Sequence, residues 1–471
     1  MSAAVEPAAG QRFDAHLPLL IVGGGACGLV AALAAQEAGA EAAVIERDPL
    51  PRGSTAMSSG LIPAAGTRFQ AACGVNDDTP ALMAEDIQRK NGGGADPAVV
   101  AALAERSAAT IEWLADAHGV PFSLVEGFAY PGHSRLRMHG TPRRSGEELM
   151  DCLLRAAEAA GVPLLTDATV RTLFADADGR VRGLALERPT GERETLGCDA
   201  LLLACNGYGG AADLVARHLP GLKHAVYYGH VGNQGDALRW GEALGAGLAD
   251  LGGCQGHGSL AVPHQILISW ASMMQGGVQI NADGRRFSNE TEGYSEQAAR
   301  VLAQPGGAVW SVFDARVEAG LTQFQDYQDA LKAGAVRVFA DLDALADGIG
   351  APADAVRATL AEIDALAGAG GTDRFGRRFS RESRLEPPYR AVKVTGALFH
   401  TQGGIAIDAC GRALDAAGAP LPNLFAAGGA ARGVSGPDDR GYLSGNGLLS
   451  AVVMGALAGR AAARLLAAET A

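Results

Sequence analysis

The chain has 471 residues, of which 48% are apolar and 19% are charged, so it can fold around a hydrophobic core and is not a disordered chain. Its 39 basic and 52 acidic residues give a formal net charge of −13, which argues against nucleic acid or an anionic membrane surface as a partner. The seven cysteines are an odd set without a CxxC or Cys/His pattern, which indicates a reducing compartment and gives no support for haem, iron–sulfur clusters or zinc. We therefore expect no metal site and, for any redox chemistry, an organic cofactor.

The first predicted elements make a βαβ unit: a buried strand over 19–22, a helix over 26–38 and a second strand over 42–46. Between strand and helix, residues 23–28 read Gly-Gly-Gly-Ala-Cys-Gly, a GxGxxG pattern. The first glycine allows the tight turn, the second lets the backbone approach a pyrophosphate, and the third lets the helix pack on the sheet. The helix N-terminus favours the pyrophosphate, and Glu46 at the end of the second strand suits the ribose hydroxyls. The unit predicts a dinucleotide-binding site.

Two apolar stretches have to be weighed as membrane spans. Residues 17–35 are uncharged, but four glycines interrupt them, so a strand, a turn and a helix are the better interpretation. Residues 448–459 are too few to cross a bilayer. The N-terminus carries Glu6 and no basic segment, so a secretory signal is not expected. We expect a soluble, cytoplasmic protein without a membrane span.

Helical and strand patterns alternate further along the chain. Helices are predicted over 97–118 and 146–160, a hairpin over 168–174 and 181–187, and a strand over 200–205. The pattern is irregular from about 252 to 384, with helices over 294–302 and 353–366, and then returns to strands over 405–408 and 424–427 and a final helix from 447. We predict an α/β fold, with a Rossmann-like nucleotide-binding domain of residues 1–252 and 385–471 and an inserted α+β capping domain of residues 253–384.

Two more glycine-containing segments bear on which dinucleotide is bound. Residues 204–207 form a second nucleotide-contact loop far downstream of the GxGxxG pattern, and residues 425–429 form a Gly-rich strand end near the C-terminus. Enzymes that bind NAD usually present one compact pair of half-domains. A chain that returns to the nucleotide fold at its end fits the larger flavin dinucleotide better, and we predict FAD.

Six motifs spread over nearly the whole chain carry a resemblance to a known family. They are Arg52-Gly53-Ser54-Thr55 with Ser59-Gly60, Gly232-Asn233-Gln234-Gly235-Asp236, Gln255-Gly256-His257, the run 281–290 (NADGRRFSNE), His400-Thr401-Gln402-Gly403-Gly404, and Ser444-Gly445-Asn446-Gly447. In this order they resemble the fumarate reductase/succinate dehydrogenase flavoprotein superfamily, and within it the ketosteroid dehydrogenase and cyclohexanone dehydrogenase-like branch. The resemblance implies an FAD domain, a mobile capping domain and redox chemistry on a C–C bond beside a carbonyl.

The resemblance also implies how FAD is held. Covalent members of the superfamily carry a flavin-attached histidine where this chain has Ser54, so the FAD should be noncovalent. Asn206 stands where a glycine is usual, and asparagine tolerates the left-handed region. The residues expected to contact FAD are Gly23, Gly25, Ala26, Gly28, Glu46, Arg47, Gly53, Ser54, Thr55, Ser59, Gly60, Val170, Ala204, Cys205, Asn206, Gly207, Asp236, Gly428, Asn446, Leu448 and Leu449.

Positions that bind dicarboxylates in fumarate-type members hold other residues here. Tyr294 replaces the proton-donating arginine and Tyr442 replaces a substrate-clamping arginine. The alternative, if the alignment is shifted by two residues, is that Arg440 is the clamping arginine, although the run Asp438-Asp439-Arg440 is more simply a solvated loop. Ser269, Trp270 and Met273 stand at a Thr-Glu pair and a later arginine. Because an unpaired carboxylate in a dry site is very costly, a dicarboxylate needs buried arginines. We infer an uncharged, largely apolar substrate.

By position, the resemblance to ketosteroid dehydrogenases implies that Tyr294 takes the α-proton of a ketone. Tyr442, with a backbone N–H from Gly445, Asn446 or Gly447, would hold the ketone oxygen, while the β-hydrogen leaves as hydride to flavin N5. The substrate pocket is expected to include Trp113, Tyr130, His257, Trp270 and His400. The two tryptophans have the alternative of packing in a core, and the two histidines that of hydrogen-bonded groups behind the pocket.

The predicted function is FAD-dependent α,β-dehydrogenation of a cyclic ketone to the enone, with substrates from cyclohexanone to a 3-ketosteroid open. Reduction of an activated C=C bond is the reverse chemistry and stays an alternative, as does a non-catalytic flavoprotein that carries electrons. Because the sequence has no second GxGxxG unit for a nicotinamide and no haem motif, electrons are expected to pass to a quinone, another protein or oxygen.

Overall fold

The structure is a computed structural model and describes residues 3–127 and 129–470. The helices are α1 (Ala26–Glu37), α2 (Gly53–Ala56), α3 (Arg68–Ala72), α4 (Pro80–Lys90), α5 (Pro97–Asp116), α6 (Gly146–Ala159), α7 (Ala212–His218), α8 (Asp236–Ala243), α9 (Ala271–Met274), α10 (Tyr294–Leu302), α11 (Ala315–Leu321), α12 (Gln325–Lys332), α13 (Leu342–Ile349), α14 (Ala353–Ala369) and α15 (Asn446–Thr470). The strands are β1 (Ala4–Pro7), β2 (Ala15–Val22), β3 (Ala42–Ile45), β4 (Ile62–Pro63), β5 (Ser123–Leu124), β6 (Met138–Gly140), β7 (Leu164–Leu165), β8 (Thr169–Ala175), β9 (Val181–Glu187), β10 (Arg193–Leu203), β11 (Val226–Tyr227), β12 (Leu248–Ala249), β13 (Cys254–Ala261), β14 (Ile266–Leu267), β15 (Val278–Ile280), β16 (Ala308–Phe313), β17 (Arg337–Phe339), β18 (Tyr389–Thr401), β19 (Gly404–Ile405), β20 (Arg412–Leu414) and β21 (Pro420–Ala426).

The first sheet is built around parallel strands from both ends of the chain. Its order is β1-β8-β9-β10-β2-β3-β7, and β21 pairs with the C-terminal part of β10. In the register of these strands, Val22 lies opposite Ile45 and Leu203, and Leu203 lies opposite Ala426. The carboxyl ends of β2, β3, β10 and β21 therefore lie side by side, at the edge where α/β sheets bind ligands.

Helix α15 packs lengthwise on α1 because small residues let the two backbones approach. A Cβ on Gly455 would come within 2.7 Å of the carbonyl oxygen of Cys27, and one on Gly459 within 2.1 Å of that of Ala31. Among the described residues, this is the one helix whose length and composition would suit a membrane span, over Asn446–Glu469. In the structure, 61% of its most apolar window is buried inside the protein, which is typical of a core helix.

The second sheet has β18 at its centre, in the order β14-β13-β18-β16-β15, and β11 and β17 also pair with β18. Helix α10 packs on β13 and β18 and brings its first residue to the cavity described below. The pairing assigns Val226–Tyr227 and Tyr389–Thr401 to this sheet, outside the predicted limits of 253 and 384. Only the pairing shows this, because the sequence pattern of a strand does not say which sheet it joins.

The α/β fold is confirmed, and most predicted elements are found within a few residues of their expected ends. The strand expected over 405–408 is shorter, since Gly404–Ile405 forms the strand and Ile407 makes an isolated bridge with Ala413. There the side chain of Asp408 accepts hydrogen bonds from the N–H groups of Cys410 and Arg412, at 2.8 and 3.0 Å, and turns the chain. The region expected to be irregular contains α11 and α13, whose N-termini are capped by the side chains of Asp314 and Asp341.

Candidate active site

One cavity runs from the carboxyl edge of the first sheet to the face of the second sheet, and most of the predicted site residues line it. At its nucleotide end these are Gly23, Gly25, Ala26, Glu46, Arg47, Gly53, Ser54, Thr55, Ser59, Gly60, Val170, Ala204, Cys205, Asn206, Asp236, Gly428 and Leu448. At its other end, which we call the aromatic end, these are Tyr130, His257, Trp270, Tyr294, His400, Tyr442, Gly445 and Gly447.

The glycine loop after β2 has the three properties that a dinucleotide needs. Gly23 has a φ of +111°, and a Cβ there would lie 2.5 Å from the carbonyl oxygen of Ala204 on the neighbouring strand. A Cβ on Gly28 would lie 1.9 Å from the carbonyl oxygen of Gly23, so only glycine lets α1 start so close to the sheet. At Gly25, by contrast, the nearest atom to an added Cβ is Thr55 Oγ1 at 3.7 Å, which leaves the backbone at the helix N-terminus open to the cavity.

Two charged residues after β3 are fixed by the backbone around them. Glu46 accepts hydrogen bonds from the N–H of Gly24 at 2.6 Å and from the N–H of Asp48 at 3.0 Å. Arg47 donates to the carbonyl oxygen of Gly232 at 2.8 Å and to Asp236 at 3.3 Å. The carboxylate therefore sits at the end of its strand, beside the open glycine loop, where a ribose would lie.

Ser54 is connected by hydrogen bonds to three other residues of the cavity wall. Its hydroxyl oxygen accepts from the N–H of His230 at 3.0 Å, from the Asn233 amide at 3.0 Å and from the Asn206 amide at 3.3 Å. Asn206 has a φ of +65°, the left-handed conformation expected at this position. Thr55, next along the chain, accepts from the N–H of Ala26 at 3.3 Å and so connects α2 to the start of α1.

Four of the expected cofactor contacts are not among the lining residues. Gly28 and Leu449 are buried in the packing of α1 and α15, and Gly207 faces Thr401, whose Oγ1 would lie 2.0 Å from an added Cβ. Asn446 begins α15 and donates from its side-chain amide to Ser435 Oγ at 3.3 Å. These residues shape the cavity from behind. The open backbone at Gly25, the fixed carboxylate of Glu46 and the long cavity fit FAD.

The aromatic end is a box of rings. Tyr294, the first residue of α10, stacks on His257 with ring centroids 4.8 Å apart, and its ring lies 6.0 Å from that of Tyr442 and 6.3 Å from that of Trp270. Tyr442 accepts a hydrogen bond from the N–H of Gly447 at 3.2 Å. Both tyrosine side chains are buried. Sequence-distant segments thus bring two phenols and a backbone N–H together.

The two phenols are not equivalent. Burial raises the pKa of Tyr294 and of Tyr442 above the usual range. Contacts with the Ser444 and Tyr442 side chains and with the N–H of Gly445 oppose this on Tyr294, because they stabilise its phenolate. Contacts with Tyr294 raise the pKa of Tyr442 further, while the N–H groups of Gly447 and Gly445 lower it. Both phenols are therefore protonated at neutral pH.

No positive charge faces these phenols from the cavity wall. Burial lowers the pKa of His257 to about 3 and that of His400 to about 4, so both imidazoles are neutral at neutral pH. His257 accepts from the N–H of Ser259 at 3.2 Å, and His400 lies 3.1 Å from the Gln402 amide. Among the described residues that line the cavity, Arg47 is the only arginine or lysine, and it lies at the nucleotide end, paired with Asp236.

The structure does not bring Trp113 to the cavity. Its indole N–H donates to Glu37 at 2.8 Å, and Arg460 lies over its ring, 4.8 Å from the centroid, on the outer side of α1 and α15. Trp270 does line the cavity, and its own indole N–H donates to the carbonyl oxygen of Glu290 at 3.0 Å.

Several lining residues near the aromatic end were not among the expected pocket residues. Tyr228, Phe399 and Ser444 line the cavity, and Phe399 stacks on His257 with centroids 5.3 Å apart. Phe399 and Ser444 directly adjoin His400 and Gly445, which were expected, so adjacency in the sequence was a usable signal for them. For Tyr228, which follows the short strand β11, the sequence carries none.

Comparison with known proteins agrees with this geometry. A model of the FAD binding domain family matches residues 19–448. A protein named probable fumarate reductase, from Shewanella frigidimarina (strain NCIMB 400), is 30% identical over 452 residues, which are 95% of this chain and 74% of that protein. The 4-oxocyclohex-2-ene-1-carboxylate 5-dehydrogenase of Sinomonas cyclohexanicum is 28% identical over 371 residues, 69% of this chain and 61% of that one.

Among solved structures, the 3-ketosteroid Δ4-(5α)-dehydrogenase from Rhodococcus jostii RHA1, in complex with 4-androstene-3,17-dione, has a TM-score of 0.78 and is 24% identical, covering 98% of this chain and 100% of that one. At this identity the likeness shows the fold. The family match covers most of the chain, and five of the six motifs contribute residues to the wall of the cavity. The chain is an FAD-binding oxidoreductase of the fumarate reductase/succinate dehydrogenase flavoprotein superfamily.

Proposed function

We propose that this enzyme dehydrogenates an uncharged cyclic ketone to its α,β-enone, using noncovalent FAD. The observation that carries the proposal is the pair of buried phenols, Tyr294 and Tyr442, in a cavity end without a cationic side chain. Burying a dicarboxylate there would leave its charges unpaired, which is very costly. Two similar proteins support a ring ketone as the substrate: the ketosteroid dehydrogenase and the 4-oxocyclohex-2-ene-1-carboxylate 5-dehydrogenase, whose named ring ketone also carries a carboxylate.

The reaction removes a proton from the α-carbon and a hydride from the β-carbon, and the bond between them becomes double. Bound FAD supplies the acceptor for the hydride and its two electrons. In our proposal Tyr294 takes the α-proton. When a ketone binds, Tyr442 turns its hydroxyl from Tyr294 to the ketone oxygen, and the Gly447 N–H, which contacts the Tyr442 oxygen in the structure, donates beside it. The surrounding rings of His257 and Trp270 exclude water and orient a flat, apolar substrate.

Magnitudes indicate that the two hydrogen transfers overlap. A free phenol, with a pKa of about 10, is a weak base for a ketone α-hydrogen. Each donor to a developing oxyanion is worth about 2.7–4 kcal/mol, so two donors supply about 5–8 kcal/mol. At 1.36 kcal/mol per pKa unit this is about four to six units. It narrows the pKa difference between the phenol and the ketone α-hydrogen without closing it. We therefore expect hydride departure to begin before the α-proton is fully transferred.

Reduction of an activated C=C bond is the second candidate, because a protein named probable fumarate reductase is 30% identical to this chain. The two candidates differ in what reduces the flavin. A dehydrogenase passes electrons from the ketone to the flavin and then to a quinone, another protein or oxygen. A reductase takes electrons from an external donor and passes them to the C=C bond. The third alternative, a non-catalytic carrier, exchanges electrons with neither a ketone nor an alkene.

The experiment is an anaerobic panel of cyclohexanones, 3-ketosteroids and dicarboxylates, scored by bleaching of the oxidised flavin without added reductant. We expect bleaching by a cyclic ketone and none by a dicarboxylate such as succinate. Tyr294→Phe should keep its flavin and slow the bleaching by roughly 10²–10⁴-fold, the range of general acid–base catalysis. Tyr327→Phe is the matched control. Tyr327 is also buried, but it packs in a hydrophobic core beside the second sheet and donates to Glu318 at 3.0 Å. Unchanged bleaching by Tyr294→Phe would end the assignment.

A further inference from the structure

A buried ionic cluster lies behind the aromatic end, and the reaction as proposed does not touch it. Arg137 is fully buried, donates to Asp78 at 2.8 Å and also contacts Asp86. Asp86 accepts from the N–H of Ser134 at 2.7 Å. A buried guanidinium held by two carboxylates is rigid, because breaking either pair leaves an uncompensated buried charge. The cluster therefore fixes the loop of residues 130–134, which also carries Tyr130 into the cavity.

His133 connects this cluster to the active-site segment. One ring nitrogen, Nδ1, lies 3.4 Å from Arg137 Nη1, and the other, Nε2, lies 2.9 Å from the carbonyl oxygen of Ser444. A guanidinium can only donate, so the nitrogen that faces it is unprotonated. The proton of the neutral ring is then on Nε2, where it donates to Ser444. Arg137 thus selects the tautomer that holds the Ser444 peptide.

The held peptide belongs to the segment that surrounds Tyr294. Ser444 and Gly445 line the cavity together with Tyr294, and the Ser444 side chain and the Gly445 N–H lower the pKa of the Tyr294 phenol. The two loops lie flush against each other, since a Cβ on Gly132 would come within 2.6 Å of Leu443 Cδ1. A movement of the 130–134 loop would therefore displace the groups that stabilise the Tyr294 phenolate.

We infer that His133 is a positioning residue for proton abstraction: held by Arg137, it fixes the Ser444 peptide so that the Ser444 hydroxyl and the Gly445 N–H face Tyr294. The inference rests on the proposed function for its kinetic consequence, and its structural part stands without it. His133 does not touch the reacting atoms. It acts through Ser444, and the distinction is measurable.

The test compares His133→Leu, which removes the donor, with His133→Gln, whose amide N–H can replace Nε2–H and whose oxygen can accept from Arg137. We expect His133→Leu to lower the limiting rate of anaerobic flavin reduction by about tenfold to a hundredfold, as small misplacements of catalytic groups do, with little change in the half-saturating ketone concentration. Its alkaline rise in rate should shift to higher pH, and His133→Gln should restore most of both. His133→Asn, too short to reach Ser444, replaces the leucine variant if that does not fold.

His139→Leu is the matched control, because His139 is equally buried beside the cluster but contacts the carbonyl oxygen of Arg137 at 2.8 Å and Thr67 instead of Ser444. It should lose stability and keep the limiting rate and pH profile. A measurement that needs no turnover is the ¹³Cζ resonance of Tyr294 in tyrosine-labelled holoenzyme, which the variant Tyr294→Phe assigns. We expect this resonance to shift in His133→Leu and to stay in place in His133→Gln and His139→Leu. Equal behaviour of the leucine and glutamine variants would overturn the inference. If no ketone reduces the wild-type flavin, the proposed function fails while this resonance still decides the role of His133.

Discussion

The two ends of the cavity are built on opposite principles. The nucleotide end is backbone and small polar side chains: open glycines, a carboxylate fixed by two N–H groups and a serine that accepts from three neighbours. The aromatic end is made of large rings whose ionisable members are kept neutral by burial. The first end suits a charged, hydrogen-bonding dinucleotide, and the second suits an uncharged substrate. One cavity therefore combines a polar end that fits the cofactor with an end that, in our proposal, takes an apolar ketone.

The contrast also lies in how far apart the contributing residues are in the chain. The glycine loop and Glu46 lie within a single βαβ unit, so a short stretch of sequence specifies their geometry. The rings of the aromatic end come from the 130–134 loop, β13, the segment before α9, α10, β18 and the segment before α15. Their arrangement depends on the packing of the second sheet against the first. Substitutions at the nucleotide end should therefore affect folding and flavin binding, and substitutions at the aromatic end should affect the rate of flavin reduction.

The largest effect is expected at the nucleotide end, from Gly28→Ala. Because the added Cβ would lie 1.9 Å from the carbonyl oxygen of Gly23, the loop or the helix has to shift. We expect a loss of about 3 kcal/mol in the free energy of unfolding, as for overpacked cores, and protein that is purified without its flavin. Denaturant unfolding and the flavin absorbance of the purified protein measure both.

Gly368→Ala is the matched control, a helical glycine in α14 with nothing within 4 Å of an added Cβ. Here alanine should raise stability by up to about 1 kcal/mol, because glycine costs more conformational entropy in a helix. If Gly28→Ala bound FAD as the wild type does, the close approach of α1 to the sheet would not be what the cofactor site requires.

An intermediate effect is expected from pH at the aromatic end. Since the pKa of Tyr294 is raised, the phenol is protonated at neutral pH and each unit of increasing pH should raise the phenolate fraction, and with it the rate of flavin reduction, up to about tenfold. His257 and His400, whose pKa values are lowered to about 3 and about 4, are already neutral and contribute no change above neutrality. The other titratable groups that bear on Tyr294 are Tyr130, Tyr442 and Glu296.

The measurement is the limiting rate of anaerobic reduction by a ketone between about pH 6 and 9, a range above both imidazole pKa values. Tyr294→Phe should retain only a slow rate without the alkaline rise. A rise that persists in this variant would assign the base to another group, with Tyr130 and Tyr442 the next to replace.

The smallest effect is expected from Trp113→Phe. The indole hydrogen bond to Glu37 is exposed, and phenylalanine still offers a ring to Arg460, so the free energy of unfolding should fall by no more than about 1 kcal/mol. Ketone-dependent flavin reduction should be unchanged, since Trp113 packs outside the cavity. A changed limiting rate or half-saturating ketone concentration would contradict that placement.

Sequence by itself determined the parts of the protein that depend on near neighbours. The βαβ unit, the role of each glycine from Gly23 to Gly28 and the position of Glu46 follow from strand, turn and helix preferences within about 25 residues, a length typical of one such unit. The motifs that flank Tyr294 and Tyr442 led to the prediction that these tyrosines stand where related enzymes carry arginines, which stays a prediction. Among the described residues, the aromatic end has no arginine or lysine in its wall.

Tertiary structure decided what depends on packing between distant segments. Trp113 lies on an amphipathic helix whose pattern shows that one face is buried, but the pattern cannot say which cavity or core that face meets. The long strand β18 belongs to the second sheet, although its sequence pattern does not say which sheet it joins. The contact of His133 with Ser444 joins residues 311 positions apart. Such contacts depend on how whole sheets and helices pack together. The free energy of burial is shared among many residues, so no single residue or short segment predicts them.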